Sequence, residues 1–152
     1  MDRKRTDYLV VHCSATRPEM DVGVNDIRKW HMAKGWIDVG YHYVIRRNGV
    51  VEAGRRLHTI GAHVKGYNAT SVGICLVGGL DKGSQPADNF TPSQKKSLRK
   101  LLVELSARFT SAKVLGHRDL SPDVNGDGVI DRREWLKDCP CFDVQEWWAG
   151  LG

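Results

Sequence analysis

Apolar residues gather along this chain into runs whose period separates strands from helices. Tyr8 to Cys13 (YLVVHC) is nearly unbroken apolar sequence between a polar start and the loop Ser14 to Asp21, the pattern of a buried strand. Ser71 to Val77 (SVGICLV) repeats that pattern and is ended by Gly78-Gly79. Between them, Val24 to Lys34 places Ile27, Trp30 and His31 at helical spacing, with Gly35 where a C-terminal cap belongs. The runs YHYVIRR and VVEAG flank Asn48-Gly49, a pairing that predicts a β-hairpin. Thr91-Pro92-Ser93-Gln94 has the form of a capping box with proline at the first helical position. Behind it, Leu98, Leu101, Leu102 and Leu105 make one apolar stripe. Val114-Leu115 reads as a short last strand that delivers His117, and Asp143 to Trp148 as a closing helix. Strands and helices alternate around one hairpin, which predicts an α/β protein: a central mixed sheet flanked by helices, in a single domain over residues 1–152.

Composition leaves that picture in place. With 152 residues, 41% hydrophobic and 27% charged, the chain can bury a core without covalent staples. No run is long enough for a membrane span, so no membrane insertion is expected. The apolar stretch Tyr8 to Val11 is too short for a signal peptide, so synthesis in a cytoplasm is expected. A net charge of +5 suits either a solubilising surface or an anionic partner. Lys95, Lys96, Arg99 and Lys100 resemble a nucleic-acid patch, yet they occupy the polar side of the leucine stripe. A solvated helix face, with no nucleic acid bound, is the expectation. The cysteines Cys13, Cys75, Cys139 and Cys141 suit thiols or ligands better than a disulfide framework, and Cys13 and Cys75 lie inside apolar runs as small buried hydrophobes.

Candidate chemistry concentrates between Gly116 and Asp143. A catalytic zinc site takes three protein ligands and keeps one position open. His12, in the middle of the first strand, together with His117 and Cys139 would supply such a set, although Cys139-Pro140-Cys141 leaves open which thiol serves. A dyad of His12 with Cys13 is excluded, because neighbours on a strand point to opposite faces. The same segment carries a complete calcium-loop pattern, an insert over about residues 121–135. Asp123, Asn125, Asp127, Gly128, Val129 (through its carbonyl), Asp131 and Glu134 fill loop positions 1, 3, 5, 6, 7, 9 and 12. Carboxylates converging on one loop repel one another without a cation, and a single loop suits a structural Ca2+ clip better than a paired sensor.

The blocks VVHCSAT, DVGYHYVIRRNGVVEAGR, GAHVKGYNATSVGICLVGG, FTPSQ, GHRD and KDCPCFDV resemble the zinc-dependent N-acetylmuramoyl-L-alanine amidases of the phage-lysozyme type. That family is related to the peptidoglycan recognition proteins, and the likeness runs from about Tyr8 to Trp148, nearest to the small amidase lysozymes of T-odd coliphages. The resemblance implies Zn2+ in a surface cleft, held by His12, His117 and Cys139, with Cys139 preferred to Cys141 because it directly precedes proline. It implies catalytic roles for Tyr41 and Lys137, and places His63, Lys65 and Asn68 along the substrate cleft. This chain departs from the family in the calcium-loop insert, which lengthens the connection between His117 and Cys139. The implied activity is cleavage of peptidoglycan between N-acetylmuramic acid and L-alanine by a bacteriolytic endolysin. It would be made in the host bacterial cytoplasm, act on the wall after release, and work as a monomer. Zinc lowers the pKa of bound water toward about 7, and Lys137 and Tyr41 would stabilise developing charge or relay a proton. Only one of the strand neighbours Tyr41 and His42 can face the zinc. Tyr41 is expected there, leaving His42 to the core or to a bond with a ligand histidine.

Overall fold

The buried run at the start of the chain becomes β1 (Tyr8–Cys13), a strand enclosed on both sides. A computed structural model describes residues 1–122, 124–127, 130 and 138–151. In it, β1 pairs in parallel with β4 (Ser71–Leu76) and with β5 (Lys113–Gly116). β2 (Tyr43–Ile45) lies parallel to β4 and antiparallel to the edge strand β3 (Val51–Ala53). The sheet order is β3-β2-β4-β1-β5, the mixed sheet that the hydrophobic pattern predicts. The helices are α1 (Val24–Ala33), α2 (Pro92–Arg108) and α3 (Val144–Gly150).

Local signals account for the element boundaries. Thr91 Oγ1 accepts from the Gln94 N–H at 3.1 Å while Gln94 Oε1 accepts from the Thr91 N–H at 3.0 Å, so the capping box forms and α2 starts at Pro92. Asn48-Gly49 closes the hairpin, with the Gly49 N–H donating to the Arg46 carbonyl at 2.8 Å. Two elements differ in length from their apolar runs. β2 keeps only three ladder residues of YHYVIRR: Arg46 begins the turn, and before the strand the His42 backbone still bonds the Gly73 carbonyl and the Gly54 N–H, each at 2.9 Å. β5 begins at Lys113, earlier than hydrophobicity suggests, because the Lys113 N–H donates to the Asp7 carbonyl at 2.9 Å.

Period two sorts the strand residues onto two faces. Leu9, Val11, Cys13, Ile74 and Leu76 pack against Leu98, Leu101, Leu102 and Leu105 of α2. Val44, Cys75 and Val77 pack against Val22, Val24 and Ile27 on the α1 side. Register aligns Val10 with Gly73 and His12 with Cys75, so His12 projects to the α1 side, opposite Cys13. Among the described residues, no helix is long and apolar enough to cross a membrane.

Candidate metal centre

Three elements converge above the α1 side of the sheet. β1 carries His12, β5 ends where His117 opens a 3-10 turn, and a turn beside that end carries Cys139. One donor atom from each of His12, His117 and Cys139 falls in a cluster whose members lie within 4.8 Å of one another. The two imidazole centroids are 4.6 Å apart. His12 is buried, whereas His117 and Cys139 are half-buried and open onto a cleft of about 790 Å³.

Backbone amides hold the half-buried side. The Cys13 N–H donates to Cys139 Sγ at 3.1 Å, and the Arg118 N–H donates to the Cys139 carbonyl at 3.0 Å. The first bond ties the sulfur to the strand of one histidine, and the second ties its backbone to the turn of the other. Asp119 Oδ2 accepts from the Gly116 N–H at 2.8 Å, shaping the turn that presents His117. Gly116 must lack a side chain here, since a Cβ would stand 2.8 Å from Pro140 Cδ and push the Cys139 turn off the sheet. Cys141 is directed elsewhere. Its thiol donates to the Gly79 carbonyl at 3.4 Å, and a hydrogen bond with Cys13, then burial, raise its pKa.

Side chains hold the buried side. His12 Nε2 lies 2.8 Å from His63 Nδ1, and His63 Nε2 lies 3.2 Å from Ser71 Oγ. Burial holds the His63 imidazole far below its ordinary pKa, so it stays neutral. Gly73 makes the room: a Cβ there would stand 2.6 Å from His63 Cγ. His42 does not bond His12. Its Nδ1 accepts from the Gly73 N–H at 3.0 Å and its Nε2 donates to the Thr59 carbonyl at 2.6 Å, whereas His63 does bond His12. Tyr41 stands beside the cluster with its ring centroid 5.0 Å from that of His12, and burial raises its phenol pKa well above 10, keeping the proton on oxygen.

The other expected residues are placed as follows. Lys65 is exposed at the cleft rim. Asn68 borders the cleft, but its Oδ1 accepts from the backbone N–H groups of His63 and Val64 at 2.8 and 2.9 Å, clamping their loop. Asn125 Oδ1 accepts from the Asp127 N–H at 3.1 Å. Lys137 and the calcium-pattern residues Asp123, Val129, Asp131 and Glu134 lie outside the described residues.

His31, Trp36 and Arg118 also line the cleft, and sequence patterning did not single them out. His31 Nδ1 accepts from the Gly40 N–H at 2.8 Å, so the proton of the neutral ring sits on Nε2. Burial lowers its pKa, with Lys34 and Arg55 adding to the effect. In sequence, His31 is one more residue on the inner face of a helix, and no spacing distinguishes it from core. Trp36 lies just past Gly35 at the end of α1, and Arg118 lies inside the GHRD block beside His117.

Comparison with known proteins adds a family. The model of the family described as N-acetylmuramoyl-L-alanine amidase matches residues 2–140. The endolysin of Klebsiella phage KP32 is 51% identical, over 96% of this chain and 87% of its own length. That of Escherichia phage T7 is 47% identical over the same shares. Among solved structures, the N-acetylmuramoyl-L-alanine amidase LysC of Clostridium intestinale superposes with a TM-score of 0.74 at 24% identity, covering 97% of this chain and 85% of that one. Drosophila PGRP-LB gives 0.70 at 22% identity, covering 99% and 82%. At those identities the two structures speak for the fold alone.

Proposed function

The chain belongs to the N-acetylmuramoyl-L-alanine amidase family, and we propose that this peptidoglycan-cleaving endolysin works through a zinc ion held by His12, His117 and Cys139. The convergence of those donors within 4.8 Å carries the reading. Two imidazoles and a thiolate are a donor set that suits zinc. The Cys13 N–H donating to Cys139 Sγ holds the sulfur beside the strand of His12, and the His63 bond fixes the ring of His12. When bound, such an ion supplies Lewis acidity toward a carbonyl and makes water acidic near neutral pH.

The remaining chemistry belongs to the chain's own side chains. Amide hydrolysis places negative charge on the former carbonyl oxygen and requires a proton on the departing nitrogen. Tyr41, kept as a phenol by burial, can donate Oη–H to that oxygen from its place beside His12. Lys137 is proposed from the sequence as a second cationic donor, with Nζ–H available to the oxygen or the leaving amine. Lys65 and Arg118 give the cleft a positive rim suited to the carboxylates of a stem peptide. We further propose that residues 1–152 act as one monomeric amidase domain, made in the host cytoplasm and working on the wall after release. It binds no nucleic acid and does not insert into a membrane, and a structural calcium sits over Asp123 to Glu134.

Digestion of purified peptidoglycan, with products identified by mass, tests the activity. Free stem peptides beginning with L-alanine are expected, and their loss on zinc removal and return on zinc addition. New reducing sugar ends in place of free peptides overturn the reading.

A further inference from the structure

We propose that His63 is a positioning residue: it decides which ring nitrogen His12 presents to the metal. The inference rests on the zinc reading above for its consequence, while its geometry stands on hydrogen bonds alone. The direction of the chain is set at its far end. A carbonyl oxygen can only accept, so Ser71 Oγ donates its one proton to the Tyr67 carbonyl, 2.7 Å away. With that proton committed, Ser71 Oγ can only accept from His63 Nε2 at 3.2 Å, and His63 carries its proton on Nε2. A neutral imidazole protonated there accepts at Nδ1. The atom 2.8 Å from His63 Nδ1 is His12 Nε2, which therefore bears the hydrogen. The lone pair of His12 then resides on Nδ1, the nitrogen whose lone pair a metal would take.

Packing fixes the intermediary as firmly as the bonds do. The His63 ring lies over Gly73, where a Cβ would stand 2.6 Å from Cγ, and Asn68 Oδ1 clamps the backbone of His63 and Val64. Both ring nitrogens of His63 are engaged, one by His12 and one by Ser71. His63 therefore serves the cleft through His12 and has no ring nitrogen to offer a substrate. The order of protons in a metal ligand is thus written by a backbone carbonyl two side chains away.

Nitrogen-15 correlation spectra of the histidine rings in the zinc-free wild-type protein read the tautomers directly. Both His12 and His63 are expected with the hydrogen on Nε2. A hydrogen on Nδ1 of His12, or an averaged ring, overturns the proposal. Zinc affinity by chelator competition gives the second readout, with folding followed by circular dichroism. His63→Ala is expected to weaken zinc binding about 10- to 100-fold, in the range seen for partners of metal ligands. His63→Asn, whose Oδ1 can accept from His12 Nε2–H, should recover part of the loss. Equal affinity in the wild type and His63→Ala also overturns it. A wild-type chain that binds no zinc defeats the metal reading instead, and the tautomers still decide the role of His63.

Discussion

The two faces of the sheet are built from the same strands and do different work. Toward α2, Leu9, Val11, Ile74 and Leu76 meet Leu98, Leu101, Leu102 and Leu105, and the buried Gln94 at the start of that helix donates to the Ile45 and Val77 carbonyls at 3.1 and 2.8 Å. Toward α1, the same two central strands present His12, Gly73 and Cys75, and the imidazoles of His42 and His63 lie over Gly73. Burial of that leucine stripe on the first face is stabilising without condition. On the second, every buried ring nitrogen named above must have a partner, because an unpaired one costs about 1–3 kcal/mol. The α1 side meets that demand with backbone groups for His42 and a relay for His12. Alternation along a strand lets one short segment, VVHC, serve both faces at once.

Exchanging single residues across the two faces should separate their contributions. The largest effect belongs to the metal cluster. Cys139→Ser and His12→Ala should abolish stem-peptide release and zinc retention, whereas Cys141→Ser should retain both, as read by product mass and metal content. Tyr41→Phe should lower kcat by about 100-fold, in the range of a lost oxyanion donor, with zinc content unchanged. Equal turnover would remove Tyr41 from the chemistry. On the opposite face, Leu102→Ala should cost about 2–5 kcal/mol in denaturant unfolding and leave zinc affinity as it was. A weakened zinc site in that variant would show that the faces are coupled.

Acid gives a smaller effect of definite sign. Burial holds the His42 imidazole down to about 4 from its ordinary 6.5. The folded state therefore refuses a proton that the unfolded chain accepts between those values. His42 costs nothing above pH 6.5, and stability falls as pH drops toward 4, by on the order of 3 kcal/mol at most. His31 and His63, also lowered by burial, act in the same direction. Unfolding measured across that range should show the slope, and His42→Gln should flatten it. Calcium should give the smallest change, a rise in Tm that a calcium-selective chelator reverses. A Tm indifferent to calcium removes the clip.

How much of this could be read from the sequence follows the same division. The α2 side was nearly all legible, because the leucine stripe and the capping box are local patterns and α2 starts where they place it. The metal cluster was legible as a set of residue types, and the family resemblance narrowed Cys139 from Cys141. Roles that depend on contacts across the chain were not legible. His63 was expected at the substrate cleft and does line it, but its bond to His12 joins a loop to a strand with no periodic signal between them. His42 was expected in the core or on a ligand histidine; it is buried in the core, and its bond from the Gly73 N–H at 3.0 Å depends on a neighbour without a side chain, which is invisible to hydrophobic patterning.

In the proposed centre, the buried histidine of β1 and the turn beside β5 meet at one zinc ion. X-ray absorption at the zinc edge of the loaded protein tests it most directly. One sulfur at about 2.3 Å and two imidazole nitrogens at about 2.0–2.1 Å are expected around the metal, with the sulfur shell absent in Cys139→Ser. A wild-type spectrum without sulfur, or a sulfur shell that survives in Cys139→Ser and disappears in Cys141→Ser, would contradict it.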